Sequence, residues 1–410
     1  MDAMQCTFED KLKISVVYIA ACLLFAACAN DNEGLEPSPE DAVVFTASMA
    51  DDGVGSTRAF NAINSTNALK DAGGFGVYAC YTGLYRYLES NVNPDYMYNE
   101  HVSWSEDKDA WVYSPVKYWP NGKGNINPNI NTGEIPHYVS FMGYAPYRSA
   151  PDVCLYRFST QKEKGNPWLE YRLHPDVNSQ VDLLYARPLL DQKKQAVNEH
   201  LLMIFYHALG CIGDRVTLRC GGDFVTWLQE QWTAHGYTEM TVQLTKVSLD
   251  YTLTERGRLV LWNETDDPNW QLQDGTTTTV RSVTLTEGLP ATLYHRTTEQ
   301  ETVEPWTDTG HGVFFIPEHL YGHLQTAQIS IEFTVTVSGG EEPLSNARTH
   351  TFTLSDYPQG YQHGKHLYIN AWIGGTGTEP EVEGFLIDGV QMATGPWEQA
   401  EDLEHEVYNW

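Results

Sequence analysis

Hydrophobic and polar residues alternate along much of this chain in short runs, which is the pattern of half-buried β-strands. In the first half these runs lie at 43–49, 76–80, 138–147, 181–186 and 201–209, and in the second half at 241–249, 281–285, 328–337, 349–354 and 366–372. The 24 Tyr and 12 Trp residues strengthen the strand signal, because aromatic side chains favour strands. The pattern predicts an all-β fold.

One stretch departs from the strand pattern and predicts a short helix over residues 223–232. The helical spacing i, i+3, i+4 and i+7 is followed by Phe224, Trp227, Leu228 and Gln231. Asp223 suits the N-cap position, because its side chain can accept a hydrogen bond from the first turn. We expect this helix to dock through Trp227 and Leu228 and to be an insertion between strands.

The length of 410 residues exceeds that of one ordinary sandwich and suits two domains. Thr-rich alternation begins near Met240, so the predicted domains are 43–238, which contains the helix, and 239–410. Repeated strands with polar turns between them predict a β-sandwich in the second domain. Its tail holds candidate strand residues at Phe385, Ile387 and Val390 and then becomes acidic.

The N-terminus has the pattern of a signal peptide over residues 1–27. Lys11 and Lys13 precede an apolar run over 14–25 that is too short for a comfortable transmembrane helix. Small residues just before Cys28 suit a lipoprotein signal peptidase, so we predict that Cys28 carries lipid; Phe25 departs from the Leu that is usual there. An ordinary secretory signal with a chance Cys, or a short anchor helix, is the alternative. Residues 28–42 then predict an acidic spacer.

A turn-rich loop follows the first predicted strand, and Arg58 lies at its end. A trypsin-like protease requires an exposed basic residue before the bond that it cuts, and flexible loops supply such sites. The Arg58–Ala59 bond is therefore a candidate cleavage site. A plain surface arginine is the alternative.

The charge balance narrows the classes of partner. Lys+Arg 25 against Asp+Glu 54 gives a net charge of −29, which argues against a nucleic-acid partner, because such partners need a basic patch. The charge suits an extracellular protein. Four cysteines remain once the leader is removed and Cys28 is lipidated: Cys80, Cys154, Cys211 and Cys220. The sequence allows disulfides or buried free thiols equally.

The sequence predicts neither catalysis nor a bound cofactor. It contains no nucleophile elbow, phosphate loop, dinucleotide fingerprint or calcium loop. His319 and His323 are spaced i, i+4, but no third ligand is evident, so no metal site is expected. His207 lies in an apolar run and has no second His and no carboxylate within a few residues of it. We therefore expect a hydrogen-bonded core histidine and not a metal ligand or a catalytic base. We expect the aromatic block at 111–120 to pack in a core, the alternative being a surface that stacks on sugars.

Four blocks in succession carry a resemblance. They read W-x-Y-x-P-x-x-Y-W-P at 111–120, V-S-F-x-x-Y-A-P at 139–146, D-L-L-Y-A at 182–186 and F-x-H-A-L at 205–209. Behind a lipobox, this order resembles the fimbrillin family of Bacteroidetes in its Mfa-like branch. The F-F-I-P element at 314–317 is also similar, although Glu318 stands where the family often has Gln.

The resemblance implies two transthyretin-like β-sandwich domains in tandem and export as a surface-exposed lipoprotein of the outer membrane. It also implies that an Arg-specific, trypsin-like protease cuts after Arg58 and releases the first strand, which carries Val43, Phe45 and Ala47. Other fimbrillin subunits are the implied partners. A strand from the next subunit, with Phe385, Ile387 and Val390, would fill the groove.

Two functions of different classes are compatible with the sequence. One is a structural fimbrial subunit, whether stalk, tip or anchor. The other is a surface lipoprotein that stays tethered and binds a glycan or a host protein without polymerising. They differ in the mature N-terminus, which is Ala59 in a polymerising subunit and lipidated Cys28 in a tethered one.

Overall fold

The computed structural model describes residues 41–50, 62–89, 91–120, 137–194, 200–262, 267–272, 278–317, 326–340, 345–354, 364–374 and 390–396. β-Strands dominate these residues and helices are few, which confirms the all-β prediction. Within the same residues, no helix is both long and apolar enough to cross a membrane.

The strands, in chain order, are β1 (Phe45–Met49), β2 (Phe75–Gly83), β3 (Met97–Ser105), β4 (Ala110–Val112), β5 (Tyr138–Ala145), β6 (Leu155–Phe158), β7 (Trp168–Arg172), β8 (Leu184–Ala186), β9 (Leu189–Gln192), β10 (Leu201–His207), β11 (Gly210–Cys220), β12 (Glu239–Thr254), β13 (Arg256–Val260), β14 (Asn269–Gln271), β15 (Thr278–Leu285), β16 (Ala291–Thr297), β17 (Glu301–Val303), β18 (Trp306–Thr309), β19 (Val313–Phe315), β20 (Thr326–Ser338), β21 (Ser345–Leu354), β22 (Lys365–Ile373) and β23 (Val390–Pro396). The helices are α1 (Thr66–Asp71) and α2 (Gly222–His235), with 3₁₀ turns at Tyr87–Glu89 and Val177–Ser179.

An eight-stranded sheet holds the first part of the chain in the order β1-β10-β8-β5-β2-β3-β4, with β9 also paired to β5. Its two faces belong to different cores because side chains alternate along each strand. Phe75, Val77 and Ala79 of β2 lie in one buried cluster with the side chains of β1. Tyr78 and Cys80 point the other way, into the larger cluster that fills the rest of the molecule.

The other three sheets combine early and late strands. Their orders are β18-β11-β22-β23 with β19 on β11, β17-β16-β12-β20-β21 with β15 on β12, and β14-β13-β7-β6. β7 pairs with β13, and β11 pairs with β22. The strands therefore do not separate at the boundary predicted between residues 238 and 239. The change to Thr-rich alternation there marks the beginning of the long strand β12.

Helix α2 confirms the predicted helix but corrects its N-terminus. It begins at Gly222 with Gly221 as a cap that makes no side-chain hydrogen bond, and Asp223 lies in the first turn instead. A carboxylate in that position still interacts favourably with the helix dipole. Leu228 and Phe224 are the buried contacts, whereas Trp227 is only partly buried against the core.

The four cysteines of the body are free thiols and all are buried. Burial raises the pKa of Cys80 and of Cys220 to about 12 and that of Cys154 to about 11. Of the two alternatives that the sequence allows, the structure therefore has buried thiols. They pack as small apolar side chains.

Candidate functional site: the first strand and its groove

Strand β1 lies at the edge of the eight-stranded sheet and pairs with β10 alone in that sheet order. The pairing is parallel and runs from Phe45 opposite Leu201 to Met49 opposite Phe205. Backbone bonds extend it at both ends, since Leu201 N donates to Val44 O at 2.8 Å and Ala50 N donates to Phe205 O at 2.9 Å. The ladder that holds β1 is therefore short and one-sided.

A second segment, residues 117–119, holds the beginning of β1 from the other side. Val43 N donates to Lys117 O at 2.8 Å, and Trp119 N donates to Asp41 O at 2.8 Å. The Tyr113 hydroxyl donates to Val43 O at 2.8 Å and links both segments. We call this arrangement the N-terminal clamp. It fixes the start of β1 and leaves residues 46–49 to the β10 ladder.

The side chains of β1 alternate between core and periphery, as a period of two dictates. Val43, Phe45, Ala47 and Met49 are buried, and Phe45 is only 2% exposed. Phe45 makes edge-to-face contacts, with ring centroids 5.8 Å from Phe141 and 6.3 Å from Phe75. Burying each larger side chain contributes roughly 1.5–3 kcal/mol. Packing, more than backbone pairing, therefore keeps β1 in place.

The chain after the loop has hydrogen bonds of its own that do not involve β1. Ile63 N donates to Asp182 Oδ2 at 3.1 Å, and Nδ1 of His207 lies 2.8 Å from the same oxygen. The side chains of Asp182 and His207 are both buried, so the prediction of a hydrogen-bonded core histidine is confirmed. Ser65 then caps helix α1 by accepting from Ala68 N at 3.1 Å. None of these three hydrogen bonds includes an atom of β1, although Ile63 and Leu69 pack in the same buried cluster as its side chains.

The predicted modification sites, Cys28 and the Arg58–Ala59 bond, lie outside the described residues. What the structure places is the strand between them. Val43, Phe45 and Ala47 come together on one face over one groove, as the alternation predicts. The floor of the groove is formed by β10 and by aromatic side chains of β2 and β5.

The predicted donor is placed in part. Val390 is the first residue of β23, whereas Phe385 and Ile387 lie outside the described residues. β23 pairs antiparallel with β22, from Val390 opposite Ala371 to Pro396 opposite Lys365. It ends the order of its sheet, so it too is an edge strand in this chain.

Two other kinds of site can be examined in the described residues, a metal site and an aromatic surface that stacks on sugars. Among the described residues, no group of three or more His, Cys, Asp or Glu side chains could hold a metal ion. Trp111 and Trp119 of the aromatic block are buried in the same cluster as β1. Core packing, as predicted, is therefore the use of these two rings. His319 and His323 lie outside the described residues.

Sequence reasoning missed the N-terminal clamp and the role of Asp182. Tyr113 and Lys117 lie in the aromatic block, but their contacts with Val43 join positions far apart in the chain. Asp182 opens the D-L-L-Y-A block, and its partner His207 opens the H-A-L half of the last block. The two residues share one feature: apart from a tyrosine, each is the one polar side chain of an otherwise apolar block.

No protein-family model matches this chain. Its sequence is 28% identical over 177 residues to the fimbrium subunit Fim1C of Phocaeicola vulgatus, a match that covers 42% of this chain and 41% of that protein. The chain thus matches about two fifths of the length of this curated relative. The fold is similar to the crystal structure of a fimbrial protein from Bacteroides vulgatus, with a TM-score of 0.61, 17% identity, and coverage of 87% of this chain and 99% of that one. The predicted resemblance is thereby confirmed: this chain resembles a fimbrial subunit of Bacteroidales in part of its sequence and shares the fold of a Bacteroides fimbrial protein.

Proposed function

We propose that this protein is a structural subunit of a fimbrium, exported as a lipoprotein and assembled by strand exchange after proteolysis. The observation that carries the proposal is β1, an edge strand with one ladder neighbour and three buried side chains, preceded by the buried Val43. The likeness to a protein named as a fimbrium subunit, and to the fold of a fimbrial protein, supports it.

The proposed sequence of events begins at the outer membrane. Lipid on Cys28 tethers the exported chain, and a trypsin-like, Arg-specific protease cuts the bond between Arg58 and Ala59. The body then keeps its hold on Ile63 through Asp182, while β1 remains attached only by its non-covalent contacts. The N-terminal fragment that carries the lipid is then no longer joined covalently to the body.

Withdrawal of β1 would uncover β10 and the apolar floor beneath Phe45. Such an open groove is unfavourable, because its backbone groups lose partners and its aromatic side chains meet water. A strand from a second copy can restore both kinds of contact. The run Phe385-Leu386-Ile387 has the required alternation, with apolar residues two positions apart. A head-to-tail contact of this sort extends into a filament.

The test compares surface-exposed protein from its native host with an Arg58→Ala variant. N-terminal sequencing of the wild type should give Ala59, and a gel without heating should give a ladder of denaturant-resistant oligomers. Arg58→Ala should keep the longer N-terminus and remain monomeric. The matched control is Arg86→Ala, since Arg86 is an exposed arginine outside regular structure.

Either of two results would overturn the proposal. One is a wild-type protein whose mature terminus is never Ala59. The other is a ladder that persists in Arg58→Ala. A lipidated Cys28 terminus with monomer alone would instead indicate an anchor subunit or a tethered lipoprotein, and glycan binding would then be measured.

A further inference from the structure

The outer face of the four-stranded sheet β14-β13-β7-β6 is rich in arginine. Leu169 and Tyr171 of β7 point into the core, so the alternate positions of that strand point outward. On this outward side the sheet carries Arg157, Arg172, Arg256 and Arg258, which we call the arginine face. The concentration is unusual in a chain with only 25 Lys+Arg and a net charge of −29.

Two of the four guanidinium groups are held in fixed positions. Arg157 and Arg258 each place Nη2 at 2.7 Å from the same Glu170 oxygen. Glu170 is 2% exposed, so its carboxylate is committed to this pair. Arg258 also stacks on the Trp168 ring, with its Cζ atom 3.9 Å from the centroid. The sheet therefore presents these guanidinium groups without further ordering cost.

The other two arginines form a like-charged pair. Arg172 and Arg256 lie directly opposite each other on β7 and β13. Both are exposed, and neither forms an ion pair with any other described residue. Like charges placed opposite each other destabilise a sheet. A bound anion would remove this repulsion.

Two further carboxylates near the arginine face interact with residues other than its four arginines. Glu163 accepts from Trp168 Nε1 at 2.9 Å, and Glu255, which precedes β13, lies close enough to Arg281 to raise the pKa of that guanidinium against the effect of burial. The buried Glu170 pairs with Arg157 and Arg258. The face is thus a local concentration of arginine on an acidic protein.

We propose that the arginine face binds the acidic C-terminal segment 398–406 of a second copy of this chain. The inference rests on the proposed function, because assembly brings the C-terminus of one subunit to the next. The segment has Glu398, Glu401, Asp402, Glu404 and Glu406, and no Lys or Arg follows Lys365 in the chain. It follows the proposed donor region and β23 in the chain, so donation of this C-terminal region carries the segment toward the neighbour.

Charge makes the contact useful for assembly. Subunits of net charge −29 repel one another, and the repulsion grows as a filament lengthens. Guanidinium groups pair with carboxylates through two parallel hydrogen bonds, which adds geometry to the attraction. The arginine face would therefore offset repulsion at each junction and favour one orientation of the incoming subunit.

The test is a titration that needs no polymerisation. A labelled synthetic peptide of residues 397–410 is added to the full chain, in which the five acidic residues of the segment are replaced by the matching amides to prevent self-competition. We expect saturable binding that weakens as salt is added. Replacing both opposed arginines, Arg172→Gln with Arg256→Gln, should weaken binding roughly tenfold.

The matched control removes the same charge elsewhere, by Arg86→Gln with Lys108→Gln, two exposed residues outside the arginine face. It should leave the affinity within about twofold, since exposed charges beyond a Debye length are screened. Circular dichroism of each variant checks that the fold is kept.

Three results would overturn the inference: no binding of the peptide, equal weakening by both double variants, or binding of an acidic polysaccharide in place of the peptide. Failure of Arg58 cleavage would overturn the proposed function while leaving this titration unaffected, so the two failures are distinguishable.

Discussion

Strands β1 and β23 both end the order of a sheet, yet they are held in different ways. β1 has a short parallel ladder, from Phe45 to Met49, and a clamp on its other side at Val43. β23 has a longer antiparallel ladder along β22, from Val390 to Pro396. Parallel pairing is slightly weaker per residue than antiparallel pairing. By backbone pairing alone, β1 is the weaker of the two.

Side chains add to the contacts that hold β1. Its three buried residues pack beneath the sheet, and Phe45 contacts several rings at once. The contribution of roughly 1.5–3 kcal/mol for each larger side chain exceeds the net 0.5–1.5 kcal/mol of a typical hydrogen bond. In the proposed assembly, cutting the chain at Arg58 therefore permits release of β1 but does not expel it. A donor must supply matching apolar side chains.

The largest expected effect concerns the donor. Ile387→Asp should abolish the oligomer ladder while the Ala59 terminus still forms, because a carboxylate entering the apolar groove is strongly disfavoured. Leu386→Asp is the matched control, since alternation puts residue 386 on the opposite face from 385 and 387. A ladder that survives Ile387→Asp, or is lost equally in both variants, would rule out this region as the donor.

The next effect concerns β1 itself. Phe45→Ala should lower the free energy of unfolding of the uncleaved subunit by about 3–5 kcal/mol, as is usual for a buried aromatic residue. Thr46→Ala, on the less buried side of the same strand, should change it by less than about 1 kcal/mol. Denaturant unfolding of both variants measures the difference.

Phe45→Ala, compared with a variant in the floor of the groove, separates the precursor from the assembled form. If β1 is absent from the fimbrium, Phe45→Ala should leave the heat resistance of assembled oligomers unchanged. Phe141→Ala, in the floor of the groove, should weaken precursor and oligomer alike. Destabilisation of the oligomer by Phe45→Ala would mean that β1 remains in place.

The strands were predictable where their signal is local. Alternation placed Val43, Phe45 and Ala47 on one buried face, and the spacing around Leu228 predicted a helix. The N-cap was wrong because Gly221 can take the extended backbone of that position without a side-chain bond. Local spacing does not distinguish such a cap from Asp223 one residue into the helix.

The sequence pattern does not show which distant segments pair with each other. Nothing local sets Phe45 beside Leu201, or Asp182 beside His207. The arginine face is a stronger case, because it exists only when β7 and β13 pair across the predicted domain boundary. Each of its arginines alone is an ordinary polar position on a strand. Only the register makes Arg172 and Arg256 neighbours.

A smaller effect concerns the N-terminal clamp. Tyr113→Phe removes the hydroxyl that donates to Val43 O and should lower the free energy of unfolding of the precursor by about 0.5–1.5 kcal/mol. Burial raises the pKa of this phenol to about 12, so the donor should keep its proton and the effect should be constant from pH 6 to about pH 9. Tyr85→Phe, at a hydroxyl on an exposed ring, is the control and should change nothing measurable. Equal effects of the two variants would assign no role to the clamp.

The smallest expected effect tests whether loss of β1 changes only the face of the sheet that carries Phe45. Cys80 lies on the opposite face from Phe45, and burial raises the pKa of its thiol to about 12, so it is protonated and shielded at neutral pH. Because the folded-state pKa exceeds that of a free thiol, the thiolate fraction should stay negligible until the pH approaches 12 or the chain unfolds. Cleavage at Arg58 should therefore leave the slow alkylation of Cys80 unchanged at pH 8, as measured by mass spectrometry with iodoacetamide, whereas denaturant should make labelling rapid. Fast labelling of Cys80 on cleavage alone would show that loss of β1 loosens the whole eight-stranded sheet, and exchange would then require partial unfolding of the body as well as replacement of one strand.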